Sequence, residues 1–212
     1  MNVARVMGYR ARPLPMTPSP SAVALLLVNG QEASRILLLK RPERMRAYAG
    51  DWCLPGGRQD ASDAHLEDTM WRELEEETGL KPHHSRLLAC LDDFYNGRGQ
   101  LVRPFLIGID QADFSSHLAL QEDEVADYEC LPLSRLSDLK QGTPEGMTSR
   151  RSPGYYLEFG KGIETQVVWG LTATVLAHLH NVHFETAWAI DHGDNFGIVR
   201  KGESDGHQGR AV

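Results

Sequence analysis

Apolar residues along this chain fall into short runs closed by turn residues, and the period changes from run to run. Ala22 to Val28 is continuously apolar and ends at Asn29-Gly30, which predicts a buried strand followed by a turn. Ile36 to Leu39 predicts a second strand, Leu87 to Leu91 another, and Val102 to Gly108 a further one opening after the Asn96-Gly97 turn. Tyr128 to Leu133 and Tyr155 to Leu157 add two more. Between them the pattern turns helical. Residues 64 to 78 lack Gly and Pro, Asp63 is placed to cap the first turn, and Gly79 supplies the left-handed residue that stops the helix. Val168 to Leu176 reads as a second helical run. Strands interleaved with helices place the chain in the α/β class.

The ends read differently from the middle. Pro13, Pro15, Pro18 and Pro20 spoil an amphipathic helix near the start, although Arg5, Arg10 and Arg12 precede any acidic residue as in a transit peptide. Residues 1–20 are therefore expected to be a flexible lead. From Asp191 the composition is Gly-rich and charged, so 191–212 is expected to be a poorly ordered tail, leaving 21–190 as the folded domain. Residues 141 to 153 read as a mobile loop. No internal repeat is visible.

Composition narrows the function classes. At 212 residues and 41% hydrophobic, the chain suffices for one well-cored domain and is short for two. A net charge of −7 without a dense basic cluster argues against a stable nucleic-acid complex. The longest apolar run is too short to span a bilayer, so no membrane partner is expected. Cys53, Cys90 and Cys130 are scattered and lack Cys-x-x-Cys spacing, which predicts reduced thiols, a cytoplasmic location and no structural zinc. His178, His180 and His183 are read as exposed polar residues.

The candidate chemistry lies on the first helix. At about 100° per residue, Glu73, Glu76 and Glu77 fall within an arc of roughly 100°, and Met70, Trp71 and Leu74 occupy the neighbouring arc. One flank can be buried while the other gathers three carboxylates. Such carboxylates repel one another unless a divalent cation joins them, and hard oxygen donors suit Mg²⁺ or Mn²⁺. The plainer alternative is a solvated acidic face. The Pro55-Gly56-Gly57 turn just upstream, and Arg72 set among the acids, favour a site.

These residues resemble the Nudix box, G-x5-E-x7-R-E-U-x-E-E-x-G-U with U aliphatic. Gly57 matches its first Gly, and Arg72, Glu73, Leu74, Glu76, Glu77, Gly79 and Leu80 match its second half. Asp63 stands at the first Glu, followed by eight residues in place of seven. That variation is similar to the coenzyme A pyrophosphatase branch. So is Leu38 to Gly50, set against L-L-x-x-R-S-x-x-L-R-x-H-x-G from its second Leu onward: Arg41, Arg46 and Gly50 match, whereas Pro42, Met45 and Tyr48 do not. Asp123-Glu124-Val125 ahead of Leu131-Pro132-Leu133, and Trp169-Gly170-Leu171-Thr172-Ala173, are similar to the same branch.

The resemblance implies a Nudix-like α/β/α sandwich with a mixed β-sheet and a catalytic loop-helix-loop. It implies Glu73, Glu76 and Glu77 as ligands of Mg²⁺ or Mn²⁺, and Arg72 as the residue holding a carboxylate in place. Arg41, Arg46 and Gly57 would meet the substrate. Glu124, with Glu122 in reserve, would reach the metals, and the general base stays open between a helix Glu and Glu124. The substrate would be a small nucleotide: coenzyme A or acyl-CoA, cut to 3′,5′-ADP and (acyl-)4′-phosphopantetheine. ADP-ribose, dinucleoside polyphosphates and (d)NTPs are the alternatives within the superfamily. A nucleotide sensor without catalysis is the alternative outside it, although the helix carboxylates such sensors lack are present here. A homodimer stays open as the assembly.

Overall fold

The structure, a computed structural model, describes residues 8–147, 154–184 and 190. In chain order its elements are β1 (Ser21–Asn29), β2 (Ser34–Lys40), β3 (Trp52–Cys53), β4 (Gly56–Arg58), α1 (Leu66–Thr78), β5 (Ser85–Cys90), β6 (Phe94–Tyr95) and β7 (Leu101–Asp110). Then follow α2 (Gln111–His117), β8 (Asp127–Pro132), β9 (Lys140–Gln141), β10 (Tyr155–Lys161), β11 (Glu164–Trp169) and α3 (Gly170–Phe184).

Strand β1 organises the main sheet. Its continuous apolar run suits a strand covered on both faces. Leu25 and Leu27 point into one core with Ile36, Leu38 and α3, whereas Ala24, Leu26 and Val28 point into the other with α1 and α2. β1 runs parallel to β7 and antiparallel to β2 and β4, so the sheet is mixed. β8 pairs with β2, and β5 and β6 pair with β7. A smaller antiparallel sheet, β11-β10-β9, packs with α3 on the core that Leu25 and Leu27 enter. This is the expected α/β/α layering.

Helix α1 buries Leu66, Met70 and Leu74, spaced four apart, with Trp71 packed at the rim. It ends as expected: Gly79 takes φ +71° and its N–H donates to the Glu75 carbonyl. Its start differs. The helix begins at Leu66, with the backbone N–H of His65 donating to Asp68 Oδ2 at 2.8 Å, and Asp63 stays in the preceding loop. Asp63 cannot cap, because its carboxylate is committed to Arg72.

The run from Val168 to Leu176 is not one helix. Val168 and Trp169 close strand β11 opposite Leu157 and Tyr156, and the helix starts at Gly170, whose φ of +63° turns the chain. His178 and His180, expected to be exposed, are buried. α3 carries apolar residues nearly all round, and His178 packs edge-on against Tyr9 and Phe94.

Part of the lead is fastened rather than loose. Tyr9 Oη donates to Asp92 Oδ1 at 2.6 Å, the Arg12 N–H to the same oxygen at 2.7 Å, and the Leu14 N–H to Asp93 Oδ2 at 2.9 Å. The two buried aspartates draw it in because each needs donors. The expected tail, and residues 148–153 of the 141–153 loop, lie outside the described residues.

Candidate active site

The Pro55-Gly56-Gly57 turn brings the sheet and the acidic helix together. Ala24 N–H donates to the Pro55 carbonyl at 2.8 Å, and β4 then pairs with the start of β1. Gly56 has φ +145°, and a Cβ there would strike the Ala22 carbonyl and Val23. A Cβ on Gly57 would strike the Glu73 carboxylate. Gly56 is thus required by its backbone angle and by close approach to the backbone of β1, and Gly57 lets an acid lie directly on the backbone.

Glu77 is the buried member of the set, 5% exposed, and its Oε2 accepts from the Gly56 N–H at 2.9 Å. Burial pushes its pKa up to about 8; Glu73 and Glu124 push the same way, and the Gly56 bond and the Arg41 charge oppose them. Glu73 is also raised, first by burial, with Arg72 acting against it and Glu76 and Glu124 adding to it. The charge of Glu124, on an exposed turn, thus acts on both of these helix acids. The turn is fixed from two sides, since the Gln121 N–H donates to the Glu77 carbonyl and the Ala126 N–H to the Lys40 carbonyl.

Arg72 does more than hold one acid. Its Nη1 donates to Glu73 Oε1 at 2.8 Å and to Glu76 Oε2 at 2.9 Å, while Nη2 reaches Asp63 Oδ2 at 3.0 Å and the Arg58 carbonyl at 2.9 Å. Arg72 holds the Asp63 carboxyl down at about 2. Sequence reasoning missed Asp63 as a structural partner because its position before a helix is equally suited to capping. Gly56 as a donor to Glu77 was missed too; the doubled glycine was the available signal.

Arg41 leaves β2 at the same end. Its charge acts on both Glu77 and Cys53, and its Nε is buried without a hydrogen-bond partner among the described residues. Cys53 itself is pushed up to about 12, chiefly by burial, and is no nucleophile. Arg46 is exposed on the 41–51 loop, and among the described residues no hydrogen bond or ion pair joins it to the carboxylates. Glu122 is also exposed, and its carbonyl accepts from Arg44.

A divalent cation fits the chemistry of this set. The donors are carboxylate oxygens, and neighbouring carboxylates help to raise the proton affinity of Glu73 and Glu77, a repulsion that added positive charge relieves. Among the described residues no three side chains converge as a ready-made ligand set, because Arg72 draws Glu73 and Glu76 to itself.

Three comparisons bear on this geometry. The NUDIX domain model matches residues 18–149. Proteins named uncharacterized Nudix hydrolase NudL, from Yersinia pestis (strain Pestoides F) and Yersinia pseudotuberculosis serotype O:1b, are 30% identical over 164 residues, covering 74% of this chain and 77% of their own. A MutT/nudix family protein from Enterococcus faecalis superposes with a TM-score of 0.52 at 17% identity, over 82% of this chain and 66% of that one; it speaks for the fold alone.

Proposed function

The chain belongs to the NUDIX domain family, and from that premise we propose that it hydrolyses the diphosphate bond of coenzyme A or an acyl-CoA, giving 3′,5′-ADP and (acyl-)4′-phosphopantetheine. The observation that carries the hydrolytic reading is the lie of Glu73 against Gly57 and of Glu77 on the Gly56 N–H, with the charges of Glu124 and Arg41 acting on Glu77. The coenzyme A assignment is supported by Arg41, Arg46 and Gly50 standing where that branch has them.

In this reading Glu73, Glu76 and Glu77 hold Mg²⁺ or Mn²⁺. The bound metal would offset the charge of the diphosphate and make the attacking water more acidic. The remaining work belongs to the chain. Arg72 keeps Glu73 and Glu76 aligned, Arg41 donates to a phosphate oxygen, and Gly57 lets the diphosphate approach the backbone closely. Glu124 stands on a separate, exposed turn, and we assign it the proton of the attacking water.

The test is a chromatographic product assay with Mg²⁺, offering coenzyme A, ADP-ribose, a diadenosine polyphosphate and dGTP separately at equal concentration. The expected result is 3′,5′-ADP from coenzyme A with slower turnover of the others. Intact coenzyme A beside a cleaved rival would overturn the substrate and keep the diphosphate chemistry. Glu76→Gln is expected to lose metal-dependent turnover with an unchanged circular dichroism spectrum; wild-type activity in that variant would remove the ligand assignment.

A further inference from the structure

The loop between β2 and β3 is built as a closed ring. Arg41 N–H donates to the Asp51 carbonyl at 3.0 Å and Gly50 N–H to the Arg41 carbonyl at 3.2 Å, which pins the two ends together. Within it, Met45 N–H donates to the Pro42 carbonyl at 3.1 Å and Asp51 N–H to the Tyr48 carbonyl at 3.2 Å. Two residues take left-handed backbone: Gly50 at φ +69°, over which the Glu43 carboxylate folds, and Tyr48 at φ +57°. A left-handed tyrosine costs roughly 1–2 kcal/mol and persists only where neighbouring contacts impose it.

The ends of the ring meet at Arg41, whose charge acts on Glu77. Its far side is tied by Arg44. Nη2 of Arg44 donates to the Glu122 carbonyl at 2.8 Å and to Asp123 Oδ1 at 3.3 Å. Those acceptors immediately precede Glu124, on the turn whose Gln121 N–H is bonded to the Glu77 carbonyl. One guanidinium thus joins the loop that carries Arg41, Arg46 and Tyr48 to the turn that carries Glu124. Arg44 matches no position of the Nudix patterns quoted above.

We infer that Arg44 is a positioning residue, clasping the 41–51 loop to the Glu124 turn so that the loop's arginines face a diphosphate without first being ordered. The inference rests on the diphosphatase reading above for its effect on substrate, and on geometry alone for its effect on the loop. Arg44 is mostly exposed, and so is Asp123, so the ion pair by itself is weak. The bond to a backbone carbonyl gives the clasp direction. Its consequence for catalysis is entropic: an unclasped loop must be ordered by the substrate, which appears as weaker binding.

The experiment compares wild type, Arg44→Ala and Arg44→Lys, with steady-state kinetics on whichever diphosphate the product assay identifies and with hydrogen–deuterium exchange. Arg44→Ala is expected to raise KM about 3- to 10-fold with kcat within about twofold, and Arg44→Lys to recover part of the loss. Exchange at Met45, Gly50 and Asp51 should quicken several-fold in Arg44→Ala, while exchange in α1 stays unchanged. Unchanged KM together with unchanged loop exchange would overturn the clasp; so would a fall in kcat alone, which would instead point to Glu124. If the wild-type protein cleaves no diphosphate, the proposed function fails by itself, and the exchange data still decide whether Arg44 holds the loop.

Discussion

At the scale of single residues, Arg72 and Asp63 show how much of the site is support for the acids. Asp63 lies in the loop before α1, and its carboxylate accepts from Arg72 and from the Asp60 N–H. Its folded pKa of about 2 lies below the ordinary value of 3.8, so it adds stability above pH 4 that is lost as pH falls through 2. Asp63→Asn should therefore flatten the acid side of the stability curve between about pH 4 and pH 2 and leave the neutral side parallel to wild type, as read by thermal melts in a pH series. An acid limb identical to wild type would mean that Arg72 does not hold Asp63 in solution. Asp63 and Arg72 could both be singled out in the sequence as charged residues near a helix; their pairing across nine positions could not, because it depends on where the loop folds back.

At the scale of elements, α1 is the best-specified part of the chain. The apolar stripe of Leu66, Met70 and Leu74, the acids at Glu73, Glu76 and Glu77, and the stop at Gly79 are all periodic or local features, and local features survive in one dimension. The stop is also tested most simply. Gly79 sits at φ +71°, and an added Cβ would lie 3.0 Å from Ala119 Cβ. Gly79→Ala should cost about 1–2 kcal/mol in urea denaturation, from the left-handed penalty alone and more if Ala119 cannot move. A neutral result would show that the helix ends by another route. The second helical run failed as an element for a physical reason: Val168 and Trp169 suit a strand or a helix equally by composition, and only pairing with Leu157 and Tyr156 decides for the strand. The short β3 and β4 were invisible for the same reason, since two or three residues carry no period.

At the scale of the whole molecule, the lead and the loop between β5 and β6 close one end of the sheet. Asp93, 1% exposed at its side chain, accepts two bonds of 2.7 Å from Arg103 on β7 and one from the Leu14 N–H. Asp93→Ala would leave Arg103 without its partner and Leu14 without its acceptor, so a loss of about 3–5 kcal/mol in urea denaturation is expected. A loss under about 1 kcal/mol would mean that the lead and Arg103 find other partners.

By itself the sequence determined the α/β class, the first helix with its three acids and its stop, the glycine turn before it, and the likeness to a Nudix box. These depend on residues close together in the chain, where period and backbone conformation act directly. Tertiary structure decided the rest: that Glu77 is buried and raised while Glu76 is exposed, and that the 121–126 turn is bonded to the end of the helix. It also decided that Asp63 serves Arg72 rather than the helix start, and that His178 and His180 lie inside. Each of these turns on desolvation or on charges brought together from distant segments, and neither quantity exists until the sheet has placed them.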